Sequence, residues 1–404
     1  MPVADTSAAG GQSAHFLILY TAAVAGGAVA YIPFLTIVLP LQATALVGGD
    51  ALTLLAYVAF AGAIAASIAN IGFGWASDVT RTRRPWIAAG MLLSCALMVA
   101  MPLASSGAML VGLIVAWQFG LNMMLAPLAA WAGDHVPDSQ KGLLGGLLAF
   151  APALGALAGV VVTLASLGFD GHRHLVIAVM VVVLVSPALL AARPRPIPHL
   201  LEPVQAVQPA ARPRLRLRLR LGQPATKMWL ARLLVQIAEA SLFAFMLLWF
   251  RSVEPGFGED RVATIFTIVL SVAVLFTLAV GRWSDRANRP ILPLTICAAM
   301  VGVGLLAMAA ANSLALVVAA YAFFGLASSI FLALHSSQTL RVLPAPQHRG
   351  RDLGLFNLTN TMPSLVMPWL TLALVPDYGF GALFIVLAAL AGMASLLLAT
   401  MPSQ

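Results

Sequence analysis

The chain has 404 residues, of which 61% are hydrophobic and 9% charged. With a mean hydropathy of +0.96, it is excluded from the soluble globular class, in which about a quarter of residues carry charge. The formal net charge of +8 sits in loops, so it marks topology rather than a binding partner.

Backbone amides in lipid must be bonded within their own segment, and no alternating ten-residue pattern suggests a barrel. The expected fold is therefore an all-α integral membrane protein. The N-terminus "MPVADTSAAGGQSAHF" has no basic stretch ahead of its apolar run, so the first helix is expected to stay in the mature protein. Long apolar runs place helices near 15–40, 51–76, 85–104, 108–131, 142–167 and 174–192. A Pro- and Arg-rich stretch, 193–227, is too broken to span. A second set follows near 228–250, 262–283, 290–311, 314–340, 353–375 and 380–400. The expected organisation is thus a six-helix bundle over 1–192, a basic linker over 193–227 and a second six-helix bundle over 228–404.

Cys95 and Cys297 each lie inside an apolar run and read as small packing residues. Arg81, Arg83, Arg84, Lys141, the linker arginines, Arg282, Arg286, Arg289, Arg349 and Arg351 fall on one side, against Arg173, Arg251 and Arg261 on the other. The positive-inside rule then puts both termini in the cytoplasm, with the chain in the inner (plasma) membrane. The run "RPRLRLRLRLG" from Arg212 would suit nucleic acid in a soluble protein. Tethered beside a bilayer it solvates the linker or rests on anionic lipid, and no nucleic-acid partner is expected.

"GWASDVTRTRRPW" from Gly74 has a counterpart in "GRWSDRANRP" from Gly281, each between the second and third helices of its half. "DHVPDSQKGLLGG" from Asp134 matches "RVLPAPQHRGRDLG" from Arg341, between the fourth and fifth helices. Gly74 and Pro137 are 63 residues apart, as are Gly281 and Pro344. One six-helix unit has been used twice, in parallel orientation.

At these residues the chain resembles the major facilitator superfamily, whose cytoplasmic hinge carries Gly, three residues, Asp, then a basic turn. The resemblance covers helix count, central linker and both pairs of loops. Within the superfamily, "SDVTRTRRPW" and "LGLFNLTNTMPSLVMP" are similar to the glycoside, pentoside, hexuronide and sucrose transporter branch, although residues before the final Arg-Pro are missing. The resemblance implies two pseudo-symmetric bundles, alternating access, and a gating role for Gly74, Asp78, Arg83, Arg84, Asp134, Gly281, Asp285, Arg286 and Arg289. Asp78 can meet Arg83, Arg84 or the N-terminal dipole of a helix starting near Asp352. The usual turn Gly is replaced by Arg81 and by Asn288. Asn tolerates a left-handed backbone, so the second turn is expected to keep its geometry and the first is not.

Glu239 is the one acid deep inside an expected span, roughly 16 Å from Met228 along the seventh helix. Arg232, Gln236 and Glu239 form a polar stripe on that helix. An ionisable group in mid-membrane reads as functional by default, and apolar surroundings favour its neutral form. Glu239 is accordingly the candidate proton-coupling group. His335, on the tenth helix and nearer the cytoplasm, is the second, since histidine titrates near neutrality. Tyr20 and Tyr31 on the first helix, Trp117, Gln118 and Asn122 on the fourth, Arg232 and Gln236 on the seventh, and Asn357 and Asn360 on the eleventh are candidate substrate-binding groups. Interhelical hydrogen bonding is the alternative role for each.

No phosphate-cradling loop, metal-spaced His and Cys set or nucleophile with a base is present in the sequence. No enzyme activity, cofactor or metal is expected. The reading is a monomeric secondary active transporter of a small polar organic solute, a sugar or glycoside by resemblance, driven by protons. Its rivals are a drug or metabolite exporter of the same fold and a non-transporting membrane assembly factor.

Overall fold

The structure is a computed structural model that describes residues 11–137, 150–164, 172–195, 224–287, 291–342 and 349–401, with single positions at 140, 144, 147, 148 and 289. Helix α1 (Ala14–Pro33) starts where the Ser13 hydroxyl accepts the Phe16 amide at 3.2 Å, which satisfies one of the amides that a first turn leaves open. Pro33 and Pro40 each lack an N–H. Between them the hydrogen-bond ladder widens into a π turn, Phe34–Val38, before α2 (Leu39–Val47) completes the first crossing.

Further along the first half lie α3 (Ala51–Val79), α4 (Arg84–Ala100), α5 (Gly107–His135), α6 (Ala151–Thr163) and α7 (Arg173–Ala191). The second half holds α8 (Pro224–Val253), α9 (Glu259–Ala287), α10 (Leu292–Ala310), α11 (Leu314–Val342) and α12 (Arg349–Ala399). A proline opens α4 and α10 alike, at Pro85 and Pro293, where a missing N–H costs nothing.

Nine stretches among the described residues are long and apolar enough to cross a membrane. The first, Ala14–Val79, holds two crossings because the chain turns at Gly48–Asp50. The last, Met362–Ala399, bends at Gly379, whose φ of 74° is open to glycine. With α6 as the described part of the fifth crossing, the twelve expected helices are present. Several bounds differ from expectation by three or four residues, as at the start of α8 (Pro224, with proline at its first position) and the ends of α5 (His135) and α9 (Ala287). The largest difference is the first crossing, which runs to Val47 because the π turn carries it past Pro40.

Packing repeats with the sequence. In the first half α3 and α4 lie along α5, and α1 and α4 lie along α7; in the second, α9 and α10 lie along α11, and α8 and α10 lie along α12. The halves meet where α6 packs on α9 and where α3 packs on α12. Those contacts exchange under the same two-fold. Gly74 faces Ala126 on α5, and Gly281 faces Leu334 on α11, the same helix pair in each copy. A Cβ on Gly120 would come within 2.9 Å of the Ser94 amide nitrogen, and one on Gly90 would meet the Met124 backbone, so α4 and α5 touch backbone to backbone. Close approach of this kind substitutes for the hydrophobic effect, which lipid does not supply. Cys95 and Cys297 are both free thiols on helices.

Gly120→Val should therefore push α4 from α5. We expect a loss of about 1–3 kcal/mol, the usual cost of overpacking, seen as a lower unfolding temperature in detergent, whereas the same change at Gly112, with open space around it, should leave that temperature unchanged.

Candidate functional site

The described ends of the chain, near Gln12 and Thr400, and the Gly74 hinge mark one face of the bundle, the hinge face; the turns at Gly48–Asp50 and Gly379 mark the other. At the hinge, Arg83 is 14% exposed and sits between two acids, 2.6 Å from Asp78 and 2.8 Å from Asp134. It also donates to the Ser77 hydroxyl at 2.6 Å. Burial works against the guanidinium charge, but Asp134 and Asp78 outweigh it and hold Arg83 protonated, above its ordinary value. Arg84 does not join this cluster. It donates to the Ala192 carbonyl and lies 5.3 Å over the Trp131 ring, which ties the end of α7 to α4. The expected loss of turn geometry does not occur: Arg81 takes a φ of 52° in place of glycine. In the second hinge the buried Ser284 donates to the Arg289 carbonyl, and Arg286 and Arg289 are exposed. The side chain of Asp285, Asn288 and the side chains near Asp352 lie outside the described residues. Ser77 and Ser284 escaped the sequence reading, although their matched positions in the two hinges were visible.

Between the halves lies a cavity of about 470 Å³, within the roughly 300–1,000 Å³ usual for small-molecule sites. Glu239, the sixteenth of the thirty residues of α8, lines it, and is the one charged side chain among its described lining residues. Tyr31 on α1 and Tyr321 on α11 lie within electrostatic reach of that carboxylate. Phe243, one turn along α8, has its ring 6.4 Å from Tyr31 and 6.2 Å from Phe266 on α9. One turn the other way, Gln236 donates to the Asn360 side-chain oxygen at 2.9 Å, and Arg232 donates to the same oxygen at 3.2 Å and to Gln236 at 3.1 Å. This cluster joins α8 to α12. Ser328, Ser329 and Ser364 complete the polar wall of the second half, while the first half adds Tyr31 and Gln118 to an otherwise apolar wall.

The other candidates lie elsewhere. Tyr20 packs in the first half's core against Phe16 and Trp131. Trp117 is fully buried with its ring 5.0 Å from Phe34. Asn122 accepts from Asn70 at 3.2 Å and donates to Gln118, so it holds Gln118 rather than facing the cavity. His335 is fully buried at the hinge end of the cavity's walls, its ring nitrogen 2.9 Å from the Met228 carbonyl. It does not share the cavity with Glu239. The Asn357 side chain is outside the described residues. Tyr321, Phe243, Phe266, Ser328, Ser329 and Ser364 were missed, since an aromatic or serine in an apolar run reads the same whether it faces lipid, a neighbour or a void.

The described ion pairs and ring contacts that join the halves lie at cavity level or beyond it, away from the hinge face. Arg173 at the start of α7 pairs with Glu259 at the start of α9 at 2.8 Å, and Glu259 also holds Arg251 at 3.2 Å. Trp369 on α12 meets Tyr57 and Phe60 on α3 at 6.2 and 5.2 Å. At the opposite end, the bonds between Asn360, Gln236 and Arg232 are reached by solvent. The cavity opens toward the hinge face.

Residues 228–403 match the family model described as Major Facilitator Superfamily. The fold of the chain is shared over nearly its whole length with a D-xylose-proton symporter (TM-score 0.74, 15% identity, 97% of this chain and 99% of that one). It is also shared with the xylose transporter XylE from E. coli in an inward-open conformation (0.72, 13%, 96% and 97%). A third is a bacterial homologue of the human lysosomal transporter Spinster, inward-facing and occupied (0.68, 14%, 95% and 95%). At such identities the likeness is one of fold. No curated protein matches the sequence.

A cysteine placed at Asn360 in a background free of Cys95 and Cys297 should react with a hydrophilic maleimide at least about tenfold faster from the hinge face than from the opposite face, since access governs thiol reactivity. Equal rates from both faces would contradict the opening described here.

Proposed function

We propose that the chain is a secondary active transporter that carries a small polar organic solute by alternating access, coupled to protons through Glu239. The observation that carries this reading is one carboxylate at mid-helix, lining a cavity between two like halves. A carboxylate there is costly in its charged form when the cavity is dry and stable when it is wet, so its protonation changes with the state of the cavity. The two halves, 1–192 and 228–404, rock as bodies about the cavity, joined by the 193–227 linker. The Arg distribution supports a cytoplasmic hinge face, which makes the present conformation inward-facing, in the inner membrane with both termini cytoplasmic. We take the transporter to be a monomer with no nucleic-acid partner.

A sugar or glycoside class is supported by the polar set of Gln118, Gln236, Asn360 and the three serines, and by two fold neighbours described as xylose transporters. The ring cluster of Tyr31, Phe243 and Phe266 favours a second reading, an exporter of apolar or aromatic metabolites. A membrane assembly factor of this fold would show no counterflow of any solute in proteoliposomes.

Glu239→Gln should abolish proton-driven accumulation while solute exchange continues at least in part; wild-type accumulation in the variant would remove Glu239 from the coupling role. Proton flux on addition of solute, read with a pH dye in proteoliposomes, reports the same step independently. Asp78→Asn should leave Arg83 with Asp134 alone and move the balance between inward-open and outward-open states, visible as a changed ratio of cysteine labelling from the two faces. An unchanged ratio would reduce the hinge charges to a topology signal.

A further inference from the structure

The rings around Glu239 suggest what its carboxylate meets besides a proton. Tyr31, Tyr321 and Phe243 come from three helices and both halves and line the cavity together with Glu239, the two tyrosines within electrostatic reach of its carboxylate and the Tyr31 and Phe243 rings 6.4 Å apart. A protonated amine is the group that gains from a carboxylate and aromatic faces together, because ring quadrupoles attract a cation within about 6 Å of their centroids and the acid supplies its counter-charge. A neutral hydroxyl gains from the acid alone. One turn from this box the wall changes character, to Gln236 and Asn360, with Gln118 across the cavity. That end offers the donors and acceptors of a hydroxylated body.

Resting on the transporter reading, we propose that the solute is a monosaccharide-sized amine, an amino sugar, with its ammonium in the box formed by Glu239, Tyr31, Tyr321 and Phe243 and its hydroxyls toward Gln236, Asn360 and Gln118. Arg232 lies two turns away, about 10 Å along the helix, hydrogen-bonded to Gln236 and Asn360 but still within electrostatic reach of the carboxylate. The ionisable groups facing Glu239 are Tyr31 from α1, Tyr321 from α11 and Arg232 on its own helix; among the described lining residues, α3, α5, α6, α9 and α12 bring none. Amine and proton then compete for one carboxylate, so binding of the amine displaces the proton.

The test uses matched pairs, glucosamine with glucose, galactosamine with galactose and mannosamine with mannose, in counterflow and binding assays on the full chain in proteoliposomes. At neutral pH at least one amine should bind about tenfold or more tighter than its parent, the scale of about 1.4 kcal/mol for one added charge-assisted contact, and should release protons on binding. The preference should vanish in Glu239→Gln, persist in Glu239→Asp, and fall several-fold in Phe243→Leu. Neutral parents moved as well as the amines, or a preference kept in Glu239→Gln, would overturn the proposal and leave the transporter reading standing. Movement of none of the pairs would also overturn it, and the transporter reading would then be judged on the proton-flux measurement with other solutes.

Discussion

An amide or carboxylate facing hydrocarbon without a partner costs several kcal/mol, and the architecture follows from where this chain meets that cost and where it accepts it. Backbone groups are settled within helices, and where Pro33 and Pro40 remove two donors the ladder adjusts to a π turn. Among the described residues, arginines lie at or beyond the ends of helices or, as Arg232, are held by amide side chains. Glu239 stands apart: an ionisable group brought to the middle of a span and turned to a space between the halves. That space must admit water or solute for its charged form to be tolerated.

Internal duplication repeats this local arrangement. Each half is stitched by close helix contacts at glycines, among them Gly90 and Gly120 in the first half and Gly304 against Phe324 in the second. The Arg83 cluster belongs to this internal stitching. Its members come from α3, the start of α4 and the end of α5, all in one half. It stiffens the hinge end of that half, and in this conformation the described charged contact between halves lies on the far side.

Fold was legible in the sequence because the bilayer imposes length and polarity on every crossing. Helix positions fell within a few residues of expectation, and the matched hinges revealed the two-fold. The site was legible only where chemistry was rare: Glu239, Gln236, Gln118, Tyr31 and Asn360 stand out as polar groups in apolar runs and do line the cavity. Tyr20, Trp117 and Asn122 stand out equally and face their own half's core, because sequence spacing gives the helix face but not what that face meets. The rings of Phe243 and Phe266 had the opposite problem, being indistinguishable from lipid-facing residues until the halves were set together. At Arg81 the local propensity argument failed: the turn between α3 and α4 takes a left-handed backbone with arginine at that position.

Glu259 shares its carboxylate between Arg173 of the first half and Arg251 of its own. If the halves part on that face, Arg251 travels with the acid, so separation never strands a bare anion at the membrane surface. Rupture there is an exchange of one oxygen's neighbour for water, and a contact of that kind is weakened by dissolved salt. Under the alternating-access proposal, the ionic strength of the medium bathing that face becomes a dial on how long the protein dwells in each orientation.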